Sequence, residues 1–469
     1  MLDDDDIDEL KAEYICFRCV GEEYLREEIQ HKGRVKKCFY CGKRGRSYTI
    51  DDLSEMIESA FEQHFVRTSE DDGQPVVDAI ADAAAIPEVA AQAIQSLLED
   101  KHYDHHAAKA GEESEFALDC YYAEKGVSDY VWQEEWRNFE HSLKSEARFF
   151  SRTAAAHLAS VFGSIDKMSA TDGRPLVLDA GPGTSLTAVY RARVFQSDER
   201  LKVALCRPDQ QLGSPSMADA SGGRMNARGI SVFYGANEPG VAIAEVRPPV
   251  GSQVAVARFS IIRRLRLLDL TALSAVSERG SLFDSTFASR LERATFLRSL
   301  SERITRPILP DDEALDYLTT QAIADFLATE NEPMLDGILF PSGQAAGNAL
   351  NIVLFHKAAR IEAIDLPEGT EIDASTGLNG EEGWEPWYSV SEVVLPKDDI
   401  EHNRDDIDFP SLPEPLFGEP WRDPRSDVRE STLRIDLESI KVNVVQRVKF
   451  ECEEHNVHRH RSTKHKPKF

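Results

Sequence analysis

Apolar positions recur at steps of three and four from about residue 51 to 165, and beyond that they gather into short runs separated by glycine and proline. In the first region Trp132, Trp136, Phe139, Leu143, Ala147, Phe150, Ala154, Leu158 and Val161 draw a single stripe, which predicts one long helix. The segment TSEDDGQP reads as a loop, and DKHYDHHAAKAGEESE, which carries His102, His105 and His106, as an exposed polar turn or loop. SATDGRP and GPGTS then punctuate the passage into a new domain. No Lys-Ser or Lys-Thr follows GPGTS, so a turn is expected there rather than a phosphate loop.

The runs AVYRARVF, ISVFYGA, QVAVARFS, GILF and ALNIVLF have the composition of strands, and helical stretches such as DYLTTQAIADFLATE separate some of them. This pattern predicts a mixed α/β or α+β domain. Residues 366–432 are rich in Pro, Asp and Glu, with Pro410, Pro413, Pro415, Pro420 and Pro424 close together, and are expected to be a mostly irregular connection. TLRIDLESIKVNVVQRVKFEC reads as a hairpin, within 433–455, that returns to the sheet.

Cysteine spacing changes the picture at the amino-terminal end. Cys16 and Cys19 form one CxxC pair and Cys38 and Cys41 another, a spacing that lets four thiolates close a tetrahedral shell around zinc. All four positions are then filled by protein, so the expected role is structural. Reduced structural cysteines or a redox pair are the alternatives. Cys120, Cys206 and Cys452 stand alone and read as buried small hydrophobes.

With 469 residues the chain exceeds one ordinary core, and several domains are expected. No window has the apolar length of a membrane span, and the acidic start MLDDDDIDEL is unlike a secretory signal, so a cytoplasmic location is expected. A formal net charge of −28 argues against broad nucleic-acid binding, since phosphates need a cationic surface. The exception is the final stretch HNVHRHRSTKHKPKF, with five Lys or Arg, four His and no acid, which reads as a solvated tail.

Several motifs in order carry a resemblance. YRARVF, GGRMNARG, VFYGANEPGVAIAE, YLTTQAIADFL and DGILFPSGQAAGNALNIVLF resemble the RES domain over roughly 185–360, and ICFRCV, CFYCG and RNFEHSLKSEARFF resemble the HEPN/RES amino-terminal module. Within that module Arg152 and His157 match the R-x4-6-H pattern of HEPN-type ribonucleases, although Thr153 leads into three alanines where a polar residue is usual.

The resemblance implies a multidomain α+β protein. A zinc-ribbon module would span 1–50, a helical HEPN-like region 51–170 and a RES catalytic domain, similar to ADP-ribosyltransferase-like NAD-binding folds, 171–365. The connection 366–432, the hairpin 433–455 and a basic tail 456–469 would follow. It implies a toxin or effector that breaks the nicotinamide-ribose bond of NAD by hydrolysis or phosphorolysis, in toxin–antitoxin or phage-defence roles. ADP-ribosyl transfer to a protein is one alternative, and a ribonuclease with the RES domain as nucleotide sensor another. Partners implied are NAD, an antitoxin or regulatory protein, and a second copy of the chain.

Carried over by position, Arg191 and Arg224 would meet the pyrophosphate of NAD as paired guanidinium forks. Glu245 would stabilise the cationic ribose, Tyr234 would offer a flat face to nicotinamide, and Ser342 a small hydroxyl. An ionised Glu245 in the apolar run VAIAEV is costly unless something pairs with it. Ala192 stands where some members of the family have an aromatic residue that could close over the ligand.

Overall fold

The computed structural model describes residues 4–103, 114–306, 308, 309, 311–345, 347–380, 383–394, 427–449 and 452–461. His105, His106, the five prolines of 410–424 and the last eight tail residues lie outside them. Thirteen α-helices occur among the described residues, and the chain divides into two compact units. One unit comprises Met1–Leu178 and Leu268–Leu335, the other Asp179–Leu267 and Asp336–Phe469. Residues 171–178 and 268–335 thus belong to the first unit and 179–267 to the second.

In the first unit a helix over Ile50–His64 starts at Thr49, whose hydroxyl accepts from the Asp52 amide at 3.0 Å while the Asp52 carboxylate accepts from the Thr49 amide at 3.1 Å. Two donors that the first helical turn leaves open are thereby satisfied. Its inner face, with Leu53, Ile57 and Phe61, joins Ile80, Ile94 and Leu98 from the helices Val76–Ala84 and Glu88–Lys101 in one buried cluster. Each such side chain contributes roughly 1.5–3 kcal/mol by leaving water.

The stripe predicted as one long helix is two helices, Tyr130–Ser145 and Arg152–Phe162. Phe150 adopts φ 60, which no helix tolerates, and the Ser151 hydroxyl caps the second helix by accepting from the Ala154 amide. Phe149 and Phe150 are consequently exposed, while Trp136, Phe139, Leu143, Leu158 and Val161 are buried. Trp136 packs on Phe296 of the helix Phe287–Thr305, ring centroids 5.6 Å apart.

His157 points inward beside Trp136 and Phe139, and Arg152 sits exposed in the first turn of the same helix. Five residues apart, the two side chains diverge around the helix. The Nε2 atoms of His157 and of His64 are buried and have no hydrogen-bond partner among the described residues.

The second unit contains most of an eight-stranded sheet. Its strands are β1 (Val177–Ala180), β2 (Ala188–Phe195), β3 (Phe233–Ala236), β4 (Gln253–Ile261), β5 (Leu265–Asp269), β6 (Gly337–Pro341), β7 (Leu350–Leu354) and β8 (Leu433–Val444), in the spatial order β8-β4-β2-β3-β7-β6-β5-β1. GPGTS forms the expected turn between β1 and β2, with the Gly181 amide bonded to the Leu186 carbonyl. The hairpin expected at 433–455 is instead the single strand β8, antiparallel to β4 from Leu433 to Val444. Nothing in LRIDLESIKVNV can turn a chain tightly, and the irregularity between Val256 and Arg258 absorbs the length as a bulge. Within the segment expected to be irregular, Glu371–Gly380 and Gly383–Val393 pair as an antiparallel hairpin. Of the lone cysteines only Cys120 is buried. Cys206 is half-buried, and Cys452, beyond the last strand, is exposed.

Burial holds the imidazoles of His64 and His157 below the ordinary histidine range, against weaker opposing pulls from Glu124 and Glu135. The folded state then binds fewer protons than the unfolded one, so this stability is complete above the unfolded value of about 6.5 and is lost as pH falls toward the folded values. Thermal unfolding followed from about pH 7 down to about pH 5 should show a falling midpoint, and the double variant His64→Gln, His157→Gln should flatten that fall.

Candidate functional site

Two places concentrate chemistry, one in each unit. In the first, the strand Tyr14–Cys16 and the hairpin of Arg34–Lys37 with Arg44–Thr49 carry two cysteine turns toward each other. The Cys19 amide bonds the Cys16 carbonyl at 2.8 Å, and the Gly42 amide bonds the Cys38 carbonyl at 3.0 Å. The sulfurs of Cys16, Cys19, Cys38 and Cys41 lie within 4.8 Å of one another. Three pairs fall at 3.6, 3.8 and 3.9 Å. Thiolates at about 2.3 Å from a tetrahedral metal stand about 3.8 Å apart, so the donor set fits such an ion.

Burial raises the Cys16 and Cys19 thiols, whereas the backbone amide of Lys43 lowers Cys41 to about 7. Cys41 is therefore the thiolate available first, and a bound cation would draw protons from the others.

In the second unit the residues that the RES resemblance singled out are carried by β2, β3, β6, the loop before β3 and the helix Pro239–Glu245. β2 is held to β4 along eight register pairs, with Arg191 opposite Ala257. It meets β3 at one pair, Tyr190 with Ala236, so the ladder is not continued toward Arg191 and Tyr234. Tyr190 and Ala192 face the side where Ala236, Val241 and Ala242 pack, and Arg191 faces the other.

Arg191 is only 7% exposed, and its guanidinium carbon lies 4.9 Å from the centroid of the Phe233 ring. Its Nη1 has no hydrogen-bond partner among the described residues. Burial, and secondarily the like charge of Arg193, push its pKa well below the usual arginine range. A cation held this way attracts any anion that reaches it.

Tyr234 acts on the loop that holds Arg224. Its hydroxyl donates to Asn226 Oδ1 at 2.8 Å and accepts from the Met225 amide at 3.0 Å. Asn226 Nδ2 in turn donates to the Ser221 and Ile230 carbonyls. Glycine is required at 223, where a Cβ would stand 2.7 Å from the tyrosine oxygen. Arg224 is half-buried on this clamped loop.

Glu245 departs from expectation. It is the last residue of a helix, and it is exposed, because Val241 and Ala242 take the inward positions of VAIAEV. The apolar run is one helical face and not a buried strand. Its Oε2 accepts from Asn351 Nδ2 at 3.0 Å, and the buried Asn351 Oδ1 has no partner among the described residues. Ser342 follows β6, with its amide on the Ala349 carbonyl at 2.8 Å and its hydroxyl accepting from the Gln344 amide at 3.2 Å. Since Phe340 pairs with Asn351, alternation puts Ser342 on the face that carries Asn351 and Glu245.

The structure thus groups Glu245, Asn351 and Ser342 on one face, Arg191 with Phe233 on the other, and Tyr234 with the Arg224 loop. Asn226 and Asn351 were not singled out from the sequence. Asn226 lies inside the GGRMNARG motif, which was a signal for it, but a lone polar residue in a strand such as ALNIVLF offers little.

The clamped arginine loop, the buried guanidinium of Arg191 and the asparagine-held carboxylate thus sit on a mixed sheet in an α+β domain. Residues 201–374 match the family model of the RES domain, and the chain carries a RES domain there, consistent with an enzyme that acts on NAD. Arg191 lies ten residues before the matched stretch. Neither the curated proteins nor the solved structures give a match.

Two outcomes are expected. Chelation, or Cys38→Ser at the fully buried ligand, should release metal and lower the unfolding temperature; a metal-free protein of equal stability would count against the site. Tyr234→Phe removes both hydroxyl bonds and should cost about 1–3 kcal/mol in denaturant unfolding, as a lost partner for buried polar groups does.

Proposed function

We propose that this chain is an NAD-consuming enzyme that cleaves the bond between nicotinamide and ribose, with water or phosphate as acceptor. The observation that carries the reading is the buried Nη1 of Arg191, which has no hydrogen-bond partner among the described residues and so favours an anion. A dinucleotide spanning the gap where the β2–β3 ladder stops at Tyr190 and Ala236 supplies that anion as its pyrophosphate, with Arg224 on its clamped loop as the second guanidinium and the ribose on the Glu245 face.

Breaking the C1′–N bond sends its electron pair to the nicotinamide ring and leaves an oxocarbenium-like ribose. Glu245 stabilises this cation, and the Asn351 amide holds the carboxylate in place. The acceptor oxygen then bonds C1′ and gives up its proton. Ser342 shares the face of Glu245 and orients the ribose or the amide group. The four-cysteine cluster holds zinc, which four thiolates favour, and serves the fold of its module. Effector roles of the toxin or phage-defence kind follow from NAD depletion, in the cytoplasm, with a neutralising protein as partner.

Nicotinamide release and NAD affinity, measured on the same preparations, test this. Glu245→Gln should retain binding while turnover falls by roughly a hundredfold, the loss expected for one preorganised electrostatic group. Asn351→Ala should lower kcat by about tenfold with little change in KM. Arg191→Ala should weaken binding first, since the pyrophosphate is unchanged between ground and transition states. Wild-type turnover in Glu245→Gln would end the catalytic assignment.

A further inference from the structure

The cysteine module carries a feature that its four thiols do not explain. From Ile29 to Ile50 there is no acidic residue, and seven lysines and arginines occur there, in a chain whose net charge is −28. The strand Arg34–Lys37 is exposed at all four positions and forms one edge of its three-stranded sheet. Lys37 stands directly opposite Arg44, so like charges face each other across the ladder. Such a pair destabilises a hairpin and serves no packing purpose. Arg34, Lys37, Lys43 and Arg44 make no ion pair among the described residues, whereas Lys32 on the neighbouring helix pairs with Glu28 at 2.6 Å. Phe39, at the tip between the second pair of cysteines, is 64% exposed.

We propose that this edge binds single-stranded nucleic acid, with phosphates on Lys37, Lys43 and Arg44 and a base stacked on Phe39. The cations supply the sequence-independent attraction of a polyanion. An open aromatic ring beside them takes the face of an unpaired base, which a duplex hides and an acidic peptide lacks. The global charge repels polyanions at a distance, but screening over about 8–10 Å leaves a local patch of this sign effective at contact. This surface is independent of the NAD reading, and its test uses no NAD.

The experiment is fluorescence anisotropy with the full metal-loaded chain and short labelled oligothymidylate and oligouridylate, from about 50 to about 200 mM salt, with a duplex and a polyglutamate peptide as comparisons. Binding that weakens with salt, and prefers single strands over both comparisons, is expected. Lys37→Glu, Lys43→Glu, Arg44→Glu together should weaken it at least tenfold, with the salt slope falling by about 0.7 for each phosphate contact removed. Phe39→Ala should weaken it about fivefold or more at unchanged salt slope. Should the charge reversal disturb folding, Lys37→Gln with Arg44→Gln relieves the repulsion and carries the same comparison. No binding at the lowest salt, variants that bind like the parent, or tighter binding of polyglutamate without dependence on Phe39 would each overturn the proposal, the last by making the edge a protein dock.

Discussion

One uncompensated charge governs the sheet-bearing unit. Burial of a guanidinium costs several kcal/mol, and among the described residues Arg191 receives an aromatic face at 4.9 Å and a weaker pull from Tyr234 in return, with Arg193 adding repulsion. The residue cannot relax outward, because eight register pairs lock β2 to β4 and fix its side-chain direction. The cost is met by the surrounding apolar core, in which Phe233 and Phe259 pack edge to face at 5.0 Å. On the proposed reading, an anion that enters recovers this cost as binding energy. The other site elements are arranged as supports: Tyr234 clamps one loop, and Asn351 holds one carboxylate.

Local pattern made much of the fold legible. The five runs read as strands are all strands, and the stretch around DYLTTQAIADFLATE is a helix, because period and β-branched content are properties of neighbouring residues. Failures came where tertiary context decides. A stripe at helical spacing continued through Phe149 and Phe150, but the left-handed turn at Phe150 and the Ser151 cap divide it. β8 looked like a hairpin since its length suits two strands, yet its partner β4 is nearly two hundred residues away in sequence.

The candidate site was legible in residue type more than in environment. The two cysteine turns converge as their spacing requires. Glu245, singled out for its apolar neighbours, is exposed, because a helix turns those neighbours away from it. Asn351 carried no sequence signal: its importance comes from pairing with Phe340 on one side and Ala236 on the other, contacts that only the sheet order creates. Asn226 was visible inside a quoted motif, but its three backbone bonds depend on how the loop closes.

Bulk charge was the least informative quantity, for a physical reason. A net −28 describes the field beyond a screening length, while recognition happens within one. The chain keeps cations in two opposite ways. Arg191 is stripped of water, so its attraction is strong at short range and suits a ligand of fixed geometry. The cations around Lys37 and Arg44 stay hydrated and crowd one another, so their attraction is salt-sensitive and indifferent to sequence. Burial confers selectivity on the first set and exposure confers adaptability on the second, and each would be unsuited to the other's task. On the two proposals above, a pyrophosphate presents two charges in a compact geometry, which suits a rigid desolvated fork, whereas a flexible polyanion presents many in changing geometry and suits a solvated row.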